Sequence, residues 1–168
     1  MARVLTLLED GYIDYEFTGP AKVLKRAGHE VVVASSEKNK ELESKQGSKV
    51  LSDLSYNEVR PEEFDALFLP GGRSPEKVRK DQKALEITKT FFNLNKLIAA
   101  ICHGPQILAS AGILKGKTIT CWPAVIEEIE TAGAKYVNQE VVIDDNLITS
   151  RNPGDVPAFS KAILSQLQ

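Results

Sequence analysis

The apolar residues of this chain fall into short, nearly unbroken runs separated by longer amphipathic stretches. Arg3 to Leu8, His29 to Ser35, Asp65 to Leu69 and Leu97 to Ile101 are runs of this kind. They are too short for helices and lack polar alternation, so they predict strands buried on both faces. Tyr12 to Ala27 predicts a helix that Gly28 stops, with Pro20 marking either a kink or the true start. A strand, a helix and a second strand in that order form a βαβ unit, which calls for a parallel sheet with a right-handed crossover.

The charged segment Glu37 to Glu43 reads as a loop, and Ser44 to Leu54 as a short hairpin or edge strands. Pro61 to Phe64 predicts a turn. Ser74 to Val78 opens a helical stretch, and Gln82 to Leu94 is a helix with Leu85, Ile87, Phe91 and Phe92 to bury. Lys117 to Cys121 predicts a further strand, and Pro123 to Ala132 a helix closed by Gly133. Glu140 to Ile143 and Leu147 to Ser150 read as a pair of strands joined by Asp144-Asp145-Asn146, with Asp155 capping a last helix over Val156 to Leu167. The alternation predicts an α/β fold, a flavodoxin-like three-layer sandwich around a mostly parallel central sheet. Ligands of such sheets bind beyond the carboxyl ends of the strands. The loops after Leu8, Leu69 and Ile101 should therefore converge on one site.

Composition narrows the picture further. A length of 168 residues suits a single domain spanning 1–168. A net charge of −2 with no basic cluster argues against nucleic acid as a partner. No run is long enough to span a membrane, and two cysteines without a secretory leader point to the reducing cytoplasm.

The chemistry centres on Leu97 to Gln106. The apolar run stops at Cys102, and His103, Gly104, Pro105 and a helical stretch from Gln106 to Ala111 follow. Ala100 and Gly104 give Cys102 small neighbours two residues away on either side. That spacing suits a nucleophile elbow, a strained strand-to-helix turn with a Cys at its apex. Free N–H groups at the start of the following helix would favour a thiolate there. An oxyanion formed by attack on a carbonyl would meet the backbone N–H of His103, and a second donor from the Gly71-Gly72 turn. His103 is the candidate general base, although adjacent residues on an elbow point apart and the ring must curl back to reach the sulfur. Trp122 follows another strand end and is placed to wall a pocket. Arg151 also lies on a strand-end loop.

Three segments, Ala100 to Pro105, Leu69 to Arg73 and Thr149 to Asp155, together resemble the PfpI family of intracellular cysteine peptidases, within the class I glutamine amidotransferase-like superfamily. The resemblance implies that Gly72 supplies the second oxyanion N–H. It implies that Glu16 contacts the Cys102 sulfur, with a carboxyl kept protonated by its neighbour. It further implies that Glu76, from a neighbouring subunit, orients His103, so that a homodimer or a hexamer completes the site. Without the resemblance, Glu16 and Glu76 read as ordinary helix-surface carboxylates.

His29 reads as structural and Cys121 as a packing residue. Two His and two Cys lack the spacing of a metal site, and Gly71-Gly72-Arg73 lacks the Lys and spacing of a phosphate loop, so no cofactor is expected. The expected activity is a cysteine hydrolase acting on small peptides. One alternative keeps the site and changes the substrate to methylglyoxal and its adducts, as in a glyoxalase or deglycase. A third reading, of another class, is a stress protein or holdase whose Cys102 senses oxidation.

Overall fold

The computed structural model describes residues 1–168. Strand β1 is Arg3–Leu7, helix α1 Asp14–Arg26 and strand β2 Glu30–Ser35. A small hairpin follows, β3 (Glu41–Glu43) with β4 (Lys49–Leu51), and then β5 (Leu54–Ser55). Next come β6 (Ala66–Leu69), α2 (Ser74–Val78), α3 (Gln82–Asn93), β7 (Leu97–Ile101) and α4 (Pro105–Ser110). The chain closes with β8 (Thr118–Ile119), α5 (Ile126–Thr131), β9 (Lys135–Tyr136), β10 (Val142–Asp144), β11 (Leu147–Ser150) and α6 (Val156–Gln166).

Seven strands form the central sheet in the order β10-β11-β7-β6-β1-β2-β5. All neighbours are parallel except β10 and β11, which form the antiparallel edge pair expected around Asp145. The strands alternate between two apolar layers. Leu5, Leu7, Leu67, Leu69, Ile98 and Ala100 face the layer containing Val78, Phe91, Leu108 and Ile129 of α2, α3, α4 and α5. Val4, Phe68, Ala99 and Ile101 face Phe17 and Leu24 of α1 and Phe159 and Ile163 of α6. Burial on both faces explains why the runs show no alternation. The three-layer α/β sandwich is thus as the pattern predicts. No helix is long and apolar enough to cross a membrane.

Several local readings need correction. Helix α1 starts at Asp14, because Tyr12 is used in an isolated bridge with Gly72, and the helix runs through Pro20 without a break. Strand β3 begins at Glu41, inside the stretch read as a charged loop. The expected strand from Lys117 shrinks to Thr118–Ile119 and pairs with β9 in a separate two-stranded sheet. Asp155 stands at the N-cap of α6 but makes no side-chain cap. Its carboxylate accepts instead from the backbone N–H, Nε and Nη2 of Arg151, at 2.8, 2.9 and 2.9 Å.

Candidate active site

The elbow forms where β7 ends. Cys102 adopts φ 65°, a left-handed conformation that a residue with a side chain adopts only under constraint. The constraint is a set of backbone bonds. Cys102 N–H donates to Ser150 O at 3.0 Å, and its carbonyl accepts from Trp122 N–H at 3.0 Å. Gly104 N–H turns back to Ile101 O at 2.8 Å. A Cβ on Gly104 would lie 2.6 Å from Leu69 O, so the spacing around the Cys reflects backbone crowding from the neighbouring strand.

The sharp turn also settles the reach of His103. Its Nδ1 lies 3.3 Å from Cys102 Sγ, so the ring does curl back onto the sulfur. The imidazole is half-buried and stacks on Trp122 with ring centroids 6.1 Å apart. Burial, reinforced by the Lys45 ammonium, holds its pKa below the usual histidine value. The ring is therefore neutral at pH 7 and able to accept a proton.

Glu16 projects from the first turn of α1 into the core and is fully buried. Its Oε1 accepts from Gly71 N–H at 3.0 Å, while the buried Oε2 finds no nitrogen or oxygen donor. Burial pushes the carboxyl up to about 7, against smaller downward pulls from the Cys102 thiol, the Gly71 N–H and Lys45. Burial also raises the Cys102 thiol, and an ionised Glu16 would raise it further, while the N–H groups of Gly72 and His103 directed at the sulfur pull the other way. Both shifts are upward. Burial is the larger cause in each case, because it penalises the charged form of either group.

Gly71 and Gly72 are needed for different reasons. A Cβ on Gly71 would collide with Glu16 Oε1 and lie 2.7 Å from Cys102 Cβ, so the space is required by the carboxyl–thiol pair itself. Gly72 has φ +81°, and a Cβ there would meet Gly11 O at 2.5 Å. That backbone turn directs the Gly72 N–H at the sulfur, beside the His103 N–H.

These groups open into a cleft of about 690 Å³. Trp122 lines it, where the sequence reading put a pocket wall, and so does Glu76, which that reading assigned to the site of a neighbouring subunit. Glu76 is exposed and pairs only with Lys80 at 3.8 Å, and Cys102 is the only hydrogen-bonding neighbour of the His103 ring within the chain. Arg151 is absent from the cleft wall, because Asp155 and Asn138 hold its guanidinium. Lys45, Arg73, Arg79 and Gln106 also line it. Sequence reasoning gave them no role: where the turn of a short hairpin lands depends on tertiary packing. A larger hollow of about 910 Å³ lies at the opposite end of the sheet, bordered by Asn95, Lys117 and Leu167, far from the thiol. Cys121 is buried, and burial pushes its thiol up to about 12.

The sequence profile of the DJ-1/PfpI family matches residues 2–166. The deglycase TK1284 of Thermococcus kodakarensis is 46% identical over 166 residues, covering 99% of each chain. General stress protein 18 of Bacillus subtilis is 42% identical over 168 residues, covering 99% of this chain and 98% of its own. Among solved structures, a two-domain protein of Anabaena variabilis with DJ-1/ThiJ/PfpI-like and ferritin-like domains matches with a TM-score of 0.98 and 40% identity. This chain is covered to 99% in that match and spans 48% of the larger protein.

Proposed function

The chain belongs to the DJ-1/PfpI family, and from that premise we propose that it is a cysteine-nucleophile hydrolase of small carbonyl compounds. Its first substrates are methylglyoxal and the adducts methylglyoxal forms with proteins. The observation that carries this reading is the convergence of four groups on Cys102 Sγ: the N–H groups of Gly72 and His103, His103 Nδ1 and the Glu16 carboxyl.

In this scheme Cys102 adds to the aldehyde carbon and its thiol proton passes to His103 Nδ1. The oxyanion accepts from the two backbone N–H groups and is then protonated, giving a hemithioacetal. Glu16, ionised in part near pH 7, moves the proton from the former aldehyde carbon to the neighbouring carbonyl carbon. The hydroxyl proton of the hemithioacetal passes to the ketone oxygen in the same rearrangement, so the aldehyde carbon is oxidised to a thioester as the ketone carbon is reduced to an alcohol and no external electron acceptor is required. Water then hydrolyses the thioester to lactate and restores the thiol. An adduct enters the same path once its amine leaves.

The second reading is hydrolysis of small peptides, in which Cys102 takes the peptide's acyl group as a thioester, the amine leaves with a proton from His103, and water hydrolyses the thioester. A cleft of about 690 Å³ has room for a small carbonyl compound, an adduct on a protruding side chain or a short peptide. Glu76 of a second subunit orients His103, so the working unit is a homodimer or a hexamer.

The test compares the wild type with Cys102→Ser, each as one defined oligomer, on methylglyoxal and on a fluorogenic peptide amide. Lactate formation lost in the variant supports the first reading. Peptide turnover lost in the variant, with methylglyoxal untouched by either protein, supports the second. If neither substrate separates the two proteins, the hydrolase reading fails and oxidation of Cys102, read by mass spectrometry, becomes the question.

A further inference from the structure

The cleft above Cys102 is bordered by three cations, Lys45, Arg73 and Arg79, and one anion, Glu76. Their partners are unequal. Arg79 is committed to Glu128 through Nη1 and Nη2, and to Ser110 Oγ at 2.9 Å through Nε. Glu76 has Lys80 within 3.8 Å. Lys45 and Arg73 make no ion pair and no side-chain hydrogen bond within the chain.

Both free cations are fixed at the backbone to the same short loop. Lys45 N–H donates to Tyr12 O at 2.8 Å, and Arg73 N–H donates to Gly11 O at 2.9 Å. The hairpin that carries Lys45 is tied down further. Ser48 Oγ donates to Asp14 Oδ2 at 2.6 Å, Asp14 N–H to Gln46 Oε1 at 2.9 Å and Glu43 N–H to Asp10 Oδ1 at 2.9 Å. Lys45 is therefore held over the cleft by a strapped hairpin, close enough for its charge to act on both Glu16 and His103. Two unpaired cations beside a concave wall focus a positive potential into the space a substrate enters.

We propose that Lys45 and Arg73 form an anion subsite, and that the preferred substrate carries a carboxylate or phosphate beside the carbonyl that Cys102 attacks. The planar guanidinium of Arg73 offers paired donors to such a group, and the Lys45 ammonium a mobile point charge. The inference rests on the hydrolase reading for its chemistry but not for its binding.

The test uses matched methylglyoxal adducts of N-acetylcysteine, which bears a carboxylate, and of N-acetylcysteine amide, which does not. The ratio of their kcat/KM values is the readout, since any effect of Lys45 on Glu16 or His103 is common to both. The wild type should favour the carboxylate adduct by about tenfold at low salt. Lys45→Gln and Arg73→Gln should each reduce the ratio, the double variant should bring it near one, and Lys45→Arg should restore it. Inorganic phosphate and acetate as competitors then separate the two sources, the better competitor naming the group. A wild-type ratio near one, or a preference that survives the double variant, overturns the proposal. If the wild type turns over neither adduct, the reading of the protein as a hydrolase of small carbonyl compounds has failed. Calorimetric titration of Cys102→Ser with inorganic phosphate and with acetate still decides the subsite: heat lost on adding Lys45→Gln and Arg73→Gln upholds it, and no heat from either anion in Cys102→Ser refutes it.

Discussion

Cys102 Sγ lies 3.3 Å from Nδ1 of His103, its immediate neighbour in the chain. Consecutive side chains rarely meet, because ordinary backbone conformations send them apart. Here the left-handed φ of 65° at Cys102 bends the chain so that thiol and imidazole share one side of the turn. The strain at this one residue thus brings two reactive groups together, and the tests below follow from what surrounds them.

Glu16 should make the protein less stable as pH rises. Its folded pKa of about 7 lies above its ordinary value of 4.5, so its favourable contribution is complete below pH 4.5 and is lost as pH climbs through 7. The full excursion is worth about 3 kcal/mol. Urea unfolding at pH 5 and pH 8 should show this decline in the wild type, and Glu16→Gln, which keeps an acceptor for the Gly71 N–H, should lack it.

The Cys102 thiol should be protonated in the resting protein at neutral pH, since burial and Glu16 both raise it. Its alkylation by iodoacetamide should therefore accelerate as pH rises above 8. Glu16→Gln removes the opposing charge and should shift that profile to lower pH. A rate that is already flat from pH 6 upward would show a resting thiolate instead.

Glu76 is exposed and bound only loosely to Lys80, so Glu76→Gln should change stability by no more than about 0.5 kcal/mol. If its carboxylate serves the His103 of another subunit, the variant loses most of its activity. Co-folding Glu76→Gln with Cys102→Ser should then restore about a quarter of the wild-type rate, because a mixed dimer holds one complete site. Mixtures that stay inactive would confine Glu76 to its own subunit.

Arg151 should matter to the fold rather than to substrate. Asp155 is only 3% exposed and depends on Arg151 for two charged hydrogen bonds. Arg151→Met strands that carboxylate and should cost about 2 kcal/mol, read as a lower unfolding midpoint. KM measured below that transition should be unchanged.

The elbow was legible in the sequence because its demands are local. A strand end, a Cys and two small neighbours describe a crowded turn without reference to the rest of the chain. Gly72 was legible for a similar reason, since the paired glycines announce close approach. Glu16 and Glu76 were not legible from physics alone. A carboxylate on an amphipathic helix looks solvated until packing decides which way it faces, and only the family resemblance singled them out. Lys45 depends on where a hairpin lands, and that follows from bonds between segments over thirty residues apart, such as Asp14 to Ser48. Asp155 shows the opposite error: a residue type with a strong local preference for capping was drawn away by a nearby guanidinium.

The Glu16–Gly71 contact spans 55 residues of sequence, and Cys102 enters only after both partners. A chain emerging from the ribosome therefore carries no cysteine until residue 102 is added, by which time the carboxyl and the glycine turn that will surround it are already made. The thiol acquires its unusual surroundings only once β1, β6 and β7 have paired and α1 has docked against them. Folding itself acts as the safety catch: a truncated or misfolded copy would present an unremarkable cysteine and none of the chemistry.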